Sequence, residues 1–145
     1  SGGYLIIKGH TRGDKIDQYM RPQLNSYDNV EINSVFESTP LIEWADVVVN
    51  FGSSIALEAV VRNKTIIYPS YLHSNQTIFD GQNCVKECKS INEVIDTLKL
   101  IQKKILPNID ESERSKILTS EVFAGTHGLN ISQLYAKNIL ALLSR

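Results

Sequence analysis

Hydrophobic residues fall in short unbroken runs through the first half of the chain and in helical stripes through the second. Tyr4 to Lys8 (YLIIK) is an apolar run closed by Gly9 and reads as a buried strand. Val30 to Ser34 (VEINS) alternates Val30 and Ile32 with Glu31 and Asn33, the period of a more exposed strand. In STPLIEWA, Thr39 is a cap and Pro40 suits a first helical position, so a short helix is predicted over Pro40 to Ala45. Asp46 to Phe51 (DVVVNF) puts three β-branched residues in succession without alternation, as parallel sheets covered on both faces require. A helix from Ser53 to Arg62 follows, ended by Asn63-Lys64. Thr65 to Tyr68 (TIIY) is the next buried strand, stopped by Pro69. Strand, helix and strand with short connections make a right-handed βαβ unit.

The second half is more helical. Ile91, Val94, Ile95, Leu98, Ile101 and Ile105 share one face of a helix predicted from Ile91 to Ile105, capped by Ser90 or Asn92 and stopped near Pro107. A short strand around Cys84 and Val85 precedes it. Asp110 to Leu118 reads as a helix with acids in its first turn. The last predicted helix, Asn130 to Leu143, carries Ile131, Leu134, Tyr135, Ile139 and Leu142 on one stripe, with Asn130 as its cap. The expected class is α/β, a Rossmann-like three-layer sandwich with a mostly parallel sheet, residues 1–145 forming a single domain.

Composition adds exclusions more than assignments. Hydrophobic residues make up 42% and charged residues 21%, enough for a core without disulfides or metal. A net charge of -1 argues against a nucleic-acid binder, which usually carries a basic excess. No apolar run approaches the roughly 20 residues that span a bilayer, and the start has no basic leader. Cys84 and Cys88 read as ordinary thiols of a reducing compartment, and the sequons at Asn63, Asn75 and Asn130 as chance. No metal site and no cofactor is expected, because no acidic cluster is visible and the histidines are scattered.

Parallel α/β sheets bind ligands outside the carboxyl ends of their strands. That rule selects three loops, GHTRGD, GSS and PSYLHSNQT, with Lys8, His10, Thr11, Arg12, Ser53, Ser54, Ser70, Tyr71, His73, Ser74 and Asn75. Gly52 allows a sharp turn and close ligand approach. Ser53 and Ser54 then open a helix whose first amides lack intrahelical partners and favour an anion. Glu58 stands among Ile55, Ala56, Leu57, Ala59, Val60 and Val61, in a helix read as buried nearly all round, where an unpaired carboxylate costs several kcal/mol. It lies four residues after Ser54, placed to accept ribose hydroxyls beside a phosphate; the other reading is a solvent stripe shared with Arg62, also four residues away. In KGHTRGD, Lys8 and Arg12 suit phosphate, His10 suits an anionic oxygen or acid-base work, and Asp14 reads as a cap.

Three segments, KGHTRGD, WADVVVNFGSSIALEAVVRNKTIIYP and FAGTHGLNISQLYAKNILALL, resemble the C-terminal half of GT-B glycosyltransferases. The nearest likeness is to bacterial capsule and surface polysaccharide enzymes, relatives of the CDP-glycerol transferases and of the CMP-sugar-using Kdo and sialyltransferases. The resemblance implies one half of a GT-B enzyme, the nucleotide-sugar-binding domain excised from its N-terminal partner. It implies that Ser53 and Ser54 meet phosphate or a donor carboxylate, that Glu58 meets the ribose, and that His10 contacts donor phosphate as the one catalytic candidate. Thr11 stands where that family segment often has proline, and GTHG departs from the family's acidic-glycine pattern, so His127 is given no role. The nucleotide site then comprises Lys8, His10, Arg12, Gly52, Ser53, Ser54, Glu58, Ser70 and Tyr71. The implied partners are a CMP-, CDP- or UDP-linked sugar, the missing N-terminal domain and a glycan acceptor, with no nucleic acid. The implied location is cytoplasmic, the full-length enzyme reaching the inner face of the membrane. A sugar-nucleotide epimerase of the UDP-N-acetylglucosamine 2-epimerase kind and a non-catalytic domain binding an anion or a partner protein are the alternatives.

Overall fold

The computed structural model describes residues 3–9, 16–33, 35–75, 77–105, 111–122 and 130–143. The chain divides into two compact units, residues 1–44 and 45–145.

The first unit holds β1 (Leu5–Lys8), α1 (Ile16–Leu24), β2 (Val30–Asn33) and α2 (Ser38–Trp44). β1 and β2 pair in parallel, Leu5 opposite Val30 and Lys8 opposite Asn33. A parallel pair needs a crossover, and α1 lies between these two strands in the chain. Its sequence hides it, because Pro22 interrupts a mostly polar run. Tyr4 donates to Glu31 Oε2 (3.1 Å) and meets Trp44 edge-on, their ring centres 6.0 Å apart. β2 is half-buried along most of its length, and Asn33 at its end is buried. Its Oδ1 accepts the amides of Val35 and Phe36 (3.2 and 2.8 Å), which turns the chain toward α2.

The second unit holds β3 (Val47–Val49), α3 (Ile55–Val61), β4 (Thr65–Pro69), a 3-10 turn (Ser70–Leu72), β5 (Lys86–Cys88), α4 (Ile91–Gln102), α5 (Glu111–Ile117) with a π-helical turn (Leu118–Val122), and α6 (Ile131–Leu143). The strand order is β3-β4-β5, parallel throughout. β4 is the centre of the core. Ile67 packs with Cys88, Val94, Val47 and Ile101, which places α4 over one face. Ile66 and Tyr68 project to the other face and are equally sealed, each 1% exposed. The architecture is therefore α/β and Rossmann-like, with its parallel strands in two small sheets, one in each unit, where one sheet was expected.

α3 is shorter than predicted and is not buried all round. Ala56, Ala59 and Val60 are buried, while Val61 is exposed and Glu58 is half-buried. An outer-layer helix covers the sheet with one face only, and the small residues here mark that face. The predicted strand at Cys84 and Val85 starts slightly later, at Lys86, although both of those residues are buried. Both thiols are buried and unpaired.

Local hydrogen bonds explain the helix ends. Ser90 Oγ accepts the Glu93 amide (3.2 Å) while Glu93 Oε2 accepts the Lys89 amide (2.8 Å), a reciprocal cap on α4. Asn130 Oδ1 accepts the Gln133 amide (3.1 Å) at the start of α6. α3 and α4 end alike. Asn63 and Lys104 take left-handed backbones, φ 54° and 56°. The amides of Lys64 and Ile105 reach back to the carbonyls of Ala59 and Leu100 (3.0 and 3.1 Å), the Schellman arrangement. α4 thus stops before the predicted Ile105. Among the described residues, no helix is long and apolar enough to cross a membrane.

A lysine in the left-handed position carries a Cβ penalty that glycine avoids. Lys104→Gly is expected to raise the unfolding free energy by about 0.5–1 kcal/mol in urea titration, with an unchanged m-value.

Candidate functional site

Parallel pairing brings the carboxyl ends of β3, β4 and β5 to one edge, and two of the three loops chosen from the sequence lie there. The third follows β1 in the other unit. Lys8 ends β1, and its Nζ donates to the Gly9 carbonyl (3.3 Å). His10 and Arg12, with Thr11 and Asp14, lie outside the described residues, as does His127.

The turn from β3 into α3 is built by Asn50, which is 9% exposed. Its amide continues the ladder to the Ile67 carbonyl (3.0 Å), and its Oδ1 accepts the Ser53 amide (2.8 Å). The amide of Ile55 donates to Ser53 Oγ (3.4 Å), and those of Ala56 and Leu57 to the carbonyls of Ser53 and Ser54 (3.0 Å each). The sequence suggested a row of vacant amides; these four are taken by the chain's own oxygens. Ser54 has helical angles and makes no side-chain cap bond. Ser53 and Ser54 are exposed. Glu58 forms an ion pair with Arg62 (3.0 Å), their side chains 28% and 27% exposed. The carboxylate thus lies along a solvent-reaching stripe, the second of the two readings open to it.

Gly52 has φ 88°. A Cβ there would lie 2.8 Å from Thr77 Cγ2 and 3.5 Å from His73 Nε2. The close approach expected of a ligand is made by the segment that follows β4. That segment is fastened to the strand by a cluster of side chains. The hydroxyl of Tyr68 donates to Asp80 Oδ1 (3.1 Å), and Thr77 Oγ1 donates to the Tyr68 hydroxyl (3.2 Å) or to Asp80 Oδ1 (3.3 Å). Asp80 Oδ2 accepts the Thr77 amide (3.0 Å), and Thr77 Oγ1 accepts the Phe79 amide (3.2 Å). His73 presents Nδ1 to the Asn75 carbonyl (3.1 Å) and Nε2 to the Tyr68 hydroxyl (3.4 Å). A carbonyl only accepts, so Nδ1 carries a hydrogen. Burial, foremost, raises the Tyr68 pKa, with Asp80 adding to it, so the hydroxyl stays a donor. The Thr77 amide, foremost, holds the Asp80 carboxyl below its ordinary range, helped by the Tyr68 and Thr77 hydroxyls and by His73.

Ser70 Oγ donates to Glu87 Oε1 (2.7 Å), with the Cys88 carbonyl a longer second acceptor (3.4 Å), and so ties β4 to β5. Tyr71 is exposed beside it. Asn50, Tyr68, Asp80 and Glu87 were not legible as site residues, whereas His73 and Thr77 stand in the selected loop PSYLHSNQT. One signal was present: Thr77-x-x-Asp80 has the spacing of a capping box, and its bonds resemble one.

Two open depressions of about 420 and 220 Å³ lie elsewhere, in the first unit, lined mainly by α1 and β2 with Arg21 and Asn25 in both. The second includes Val30, at the amino end of β2, whereas parallel sheets bind at the carboxyl ends, so the polar edge of β3-β4-β5 is the stronger candidate. Among the described residues, no three His, Cys, Asp or Glu side chains gather as a metal site. The fold and edge define a parallel α/β protein with a polar carboxyl edge. Comparison with known protein families, curated proteins and solved structures gave no match.

Two variants probe this edge. Gly52→Ala meets both the left-handed backbone and the Thr77 methyl, and is expected to cost about 1–3 kcal/mol in chemical denaturation; adding Thr77→Ser, which keeps the hydroxyl and removes that methyl, recovers part of the loss. Asp80→Asn is expected to lower stability at neutral pH. A carboxyl whose folded pKa is depressed stabilises the native state above the unfolded value, about pH 4, and that contribution is lost as pH falls through the folded value. Denaturation midpoints of wild type and Asp80→Asn should therefore differ at pH 7 and converge in acid.

Proposed function

We propose that the chain is the donor-binding half of a GT-B glycosyltransferase that moves a sugar from a nucleotide-sugar to a surface or capsular polysaccharide. The observation that carries this reading is the β3–α3 turn: a left-handed glycine followed by two exposed serines, at the carboxyl edge of a parallel sheet. The hydroxyls of Ser53 and Ser54 supply donors to a diphosphate or a donor carboxylate. Glu58, one turn further along α3, accepts the ribose hydroxyls in exchange for Arg62. The pair still reaches solvent, which screens it, so the exchange costs little. Ser70 and Tyr71 border the same edge. In the complete enzyme, Ser53 and Ser54 help to neutralise charge that develops on the leaving phosphate. Acceptor and general base belong to the N-terminal domain, so this half binds without turnover, and weakly, because part of the ligand stays wet.

A second reading is a non-catalytic domain that docks a partner protein. Phe51, Tyr71, Leu72 and Ile78, all exposed in the segments after β3 and β4, favour it.

Titration with CMP, CDP, UDP and their sugars, followed by calorimetry and amide NMR, distinguishes the two. The donor reading expects saturable binding of one nucleotide, shifts centred on Gly52 to Glu58, and about ten- to hundredfold weaker binding in Ser54→Ala and Glu58→Ala. Silence of those amides toward every nucleotide at millimolar concentration rejects it in favour of the second.

A further inference from the structure

The bonds around Tyr68 can be assigned in two ways, and the two differ by one proton. With His73 neutral, Nδ1–H donates to the Asn75 carbonyl and Nε2 accepts from the Tyr68 hydroxyl; Thr77 Oγ1 then donates to Asp80 Oδ1. With His73 protonated, Nε2–H donates to the Tyr68 oxygen, and the Tyr68 hydroxyl turns to Asp80 Oδ1. The added proton goes to Nε2 and only the Tyr68 hydroxyl reverses. Every donor hydrogen of the cluster keeps an acceptor in both arrangements. The protonated one also places a positive imidazolium one hydroxyl away from a carboxylate.

We propose that Tyr68, His73, Thr77 and Asp80 form a proton-coupled clasp that holds the segment after β4 against Gly52, closing the carboxyl edge more firmly when His73 is charged. The clasp acts through contact. Thr77 packs its methyl on Gly52, and His73 Nε2 lies over the same glycine, so tightening the cluster presses the two loops together. Among the described residues, the charged and titratable groups around the imidazole come from three places. Tyr68 comes from β4 and Asp80 from the turn that follows; Glu87 of β5 acts on Tyr68, and the β3–α3 turn offers backbone at Gly52. Asp80 remains ionised through the range in which a histidine titrates, since the Thr77 amide stabilises its charged form. The inference holds whatever the edge binds, and its failure leaves the nucleotide titration untouched.

Amide hydrogen exchange and side-chain NMR of the full chain between about pH 5 and pH 8 test it. After correction for intrinsic exchange, the Thr77 amide is expected to gain about two- to fivefold protection toward pH 5. The Gly52 resonance should move with the same midpoint as the His73 ring carbons. His73→Gln should abolish the step. Tyr68→Phe should leave the ring titration in place while uncoupling Thr77 from it; if that core variant fails to fold, Asp80→Asn, at an exposed position, should uncouple it in the same way. Constant Thr77 protection across the range in folded wild type, or a step that survives in Asp80→Asn, overturns the proposal.

Discussion

A strand sealed on both faces cannot end in a polar atom without finding that atom partners inside the protein. β4 is such a strand, and Tyr68 carries the atom. With its ring as deep as Ile66 and Ile67, a bare hydroxyl would cost about 1–3 kcal/mol. Asp80, Thr77 and His73 meet that demand, and to do so the chain after β4 must fold back over the end of its own strand. The fold-back lays the Thr77 methyl on the neighbouring turn, which leaves room for nothing larger than the hydrogen of Gly52. One buried hydroxyl therefore shapes both loops at the carboxyl edge.

The same economy governs the mouth of α3. Asn50 ends β3 and turns its carboxamide to the Ser53 amide, and the serine oxygens take the next donors. What remains for a ligand is a set of exposed hydroxyls and a carboxylate in a weak, solvent-reaching ion pair. Under the donor-site proposal, a ligand would exchange these modest internal bonds for better external ones, and a covering wall would sharpen that exchange by excluding water.

How much of this could be read along the chain depends on the reach of each interaction. β3, β4, the helix between them, and the caps at Ser90 and Asn130 were legible, because hydrophobic period and capping act over a few residues. α1 was not, since Pro22 breaks a polar stretch that becomes helical between two parallel strands. For Glu58 the chain offered two partners, and nothing local chose between them. The residues around Tyr68 were the least visible: Thr77 and Asp80 lie nine and twelve positions further on, in a segment with no period of its own.

The sequence by itself determined the α/β class, the parallel habit of the β-branched strands and the placement of glycine and serines at a strand-to-helix turn. These follow from side-chain shape and backbone preference, which each residue carries with it. Only the tertiary structure decided that Asn50 occupies the Ser53 amide, that Glu58 pairs with Arg62, and that Gly52 makes room for Thr77. Those outcomes are contests among partners, settled by which atoms the packing of β4 brings within hydrogen-bonding distance.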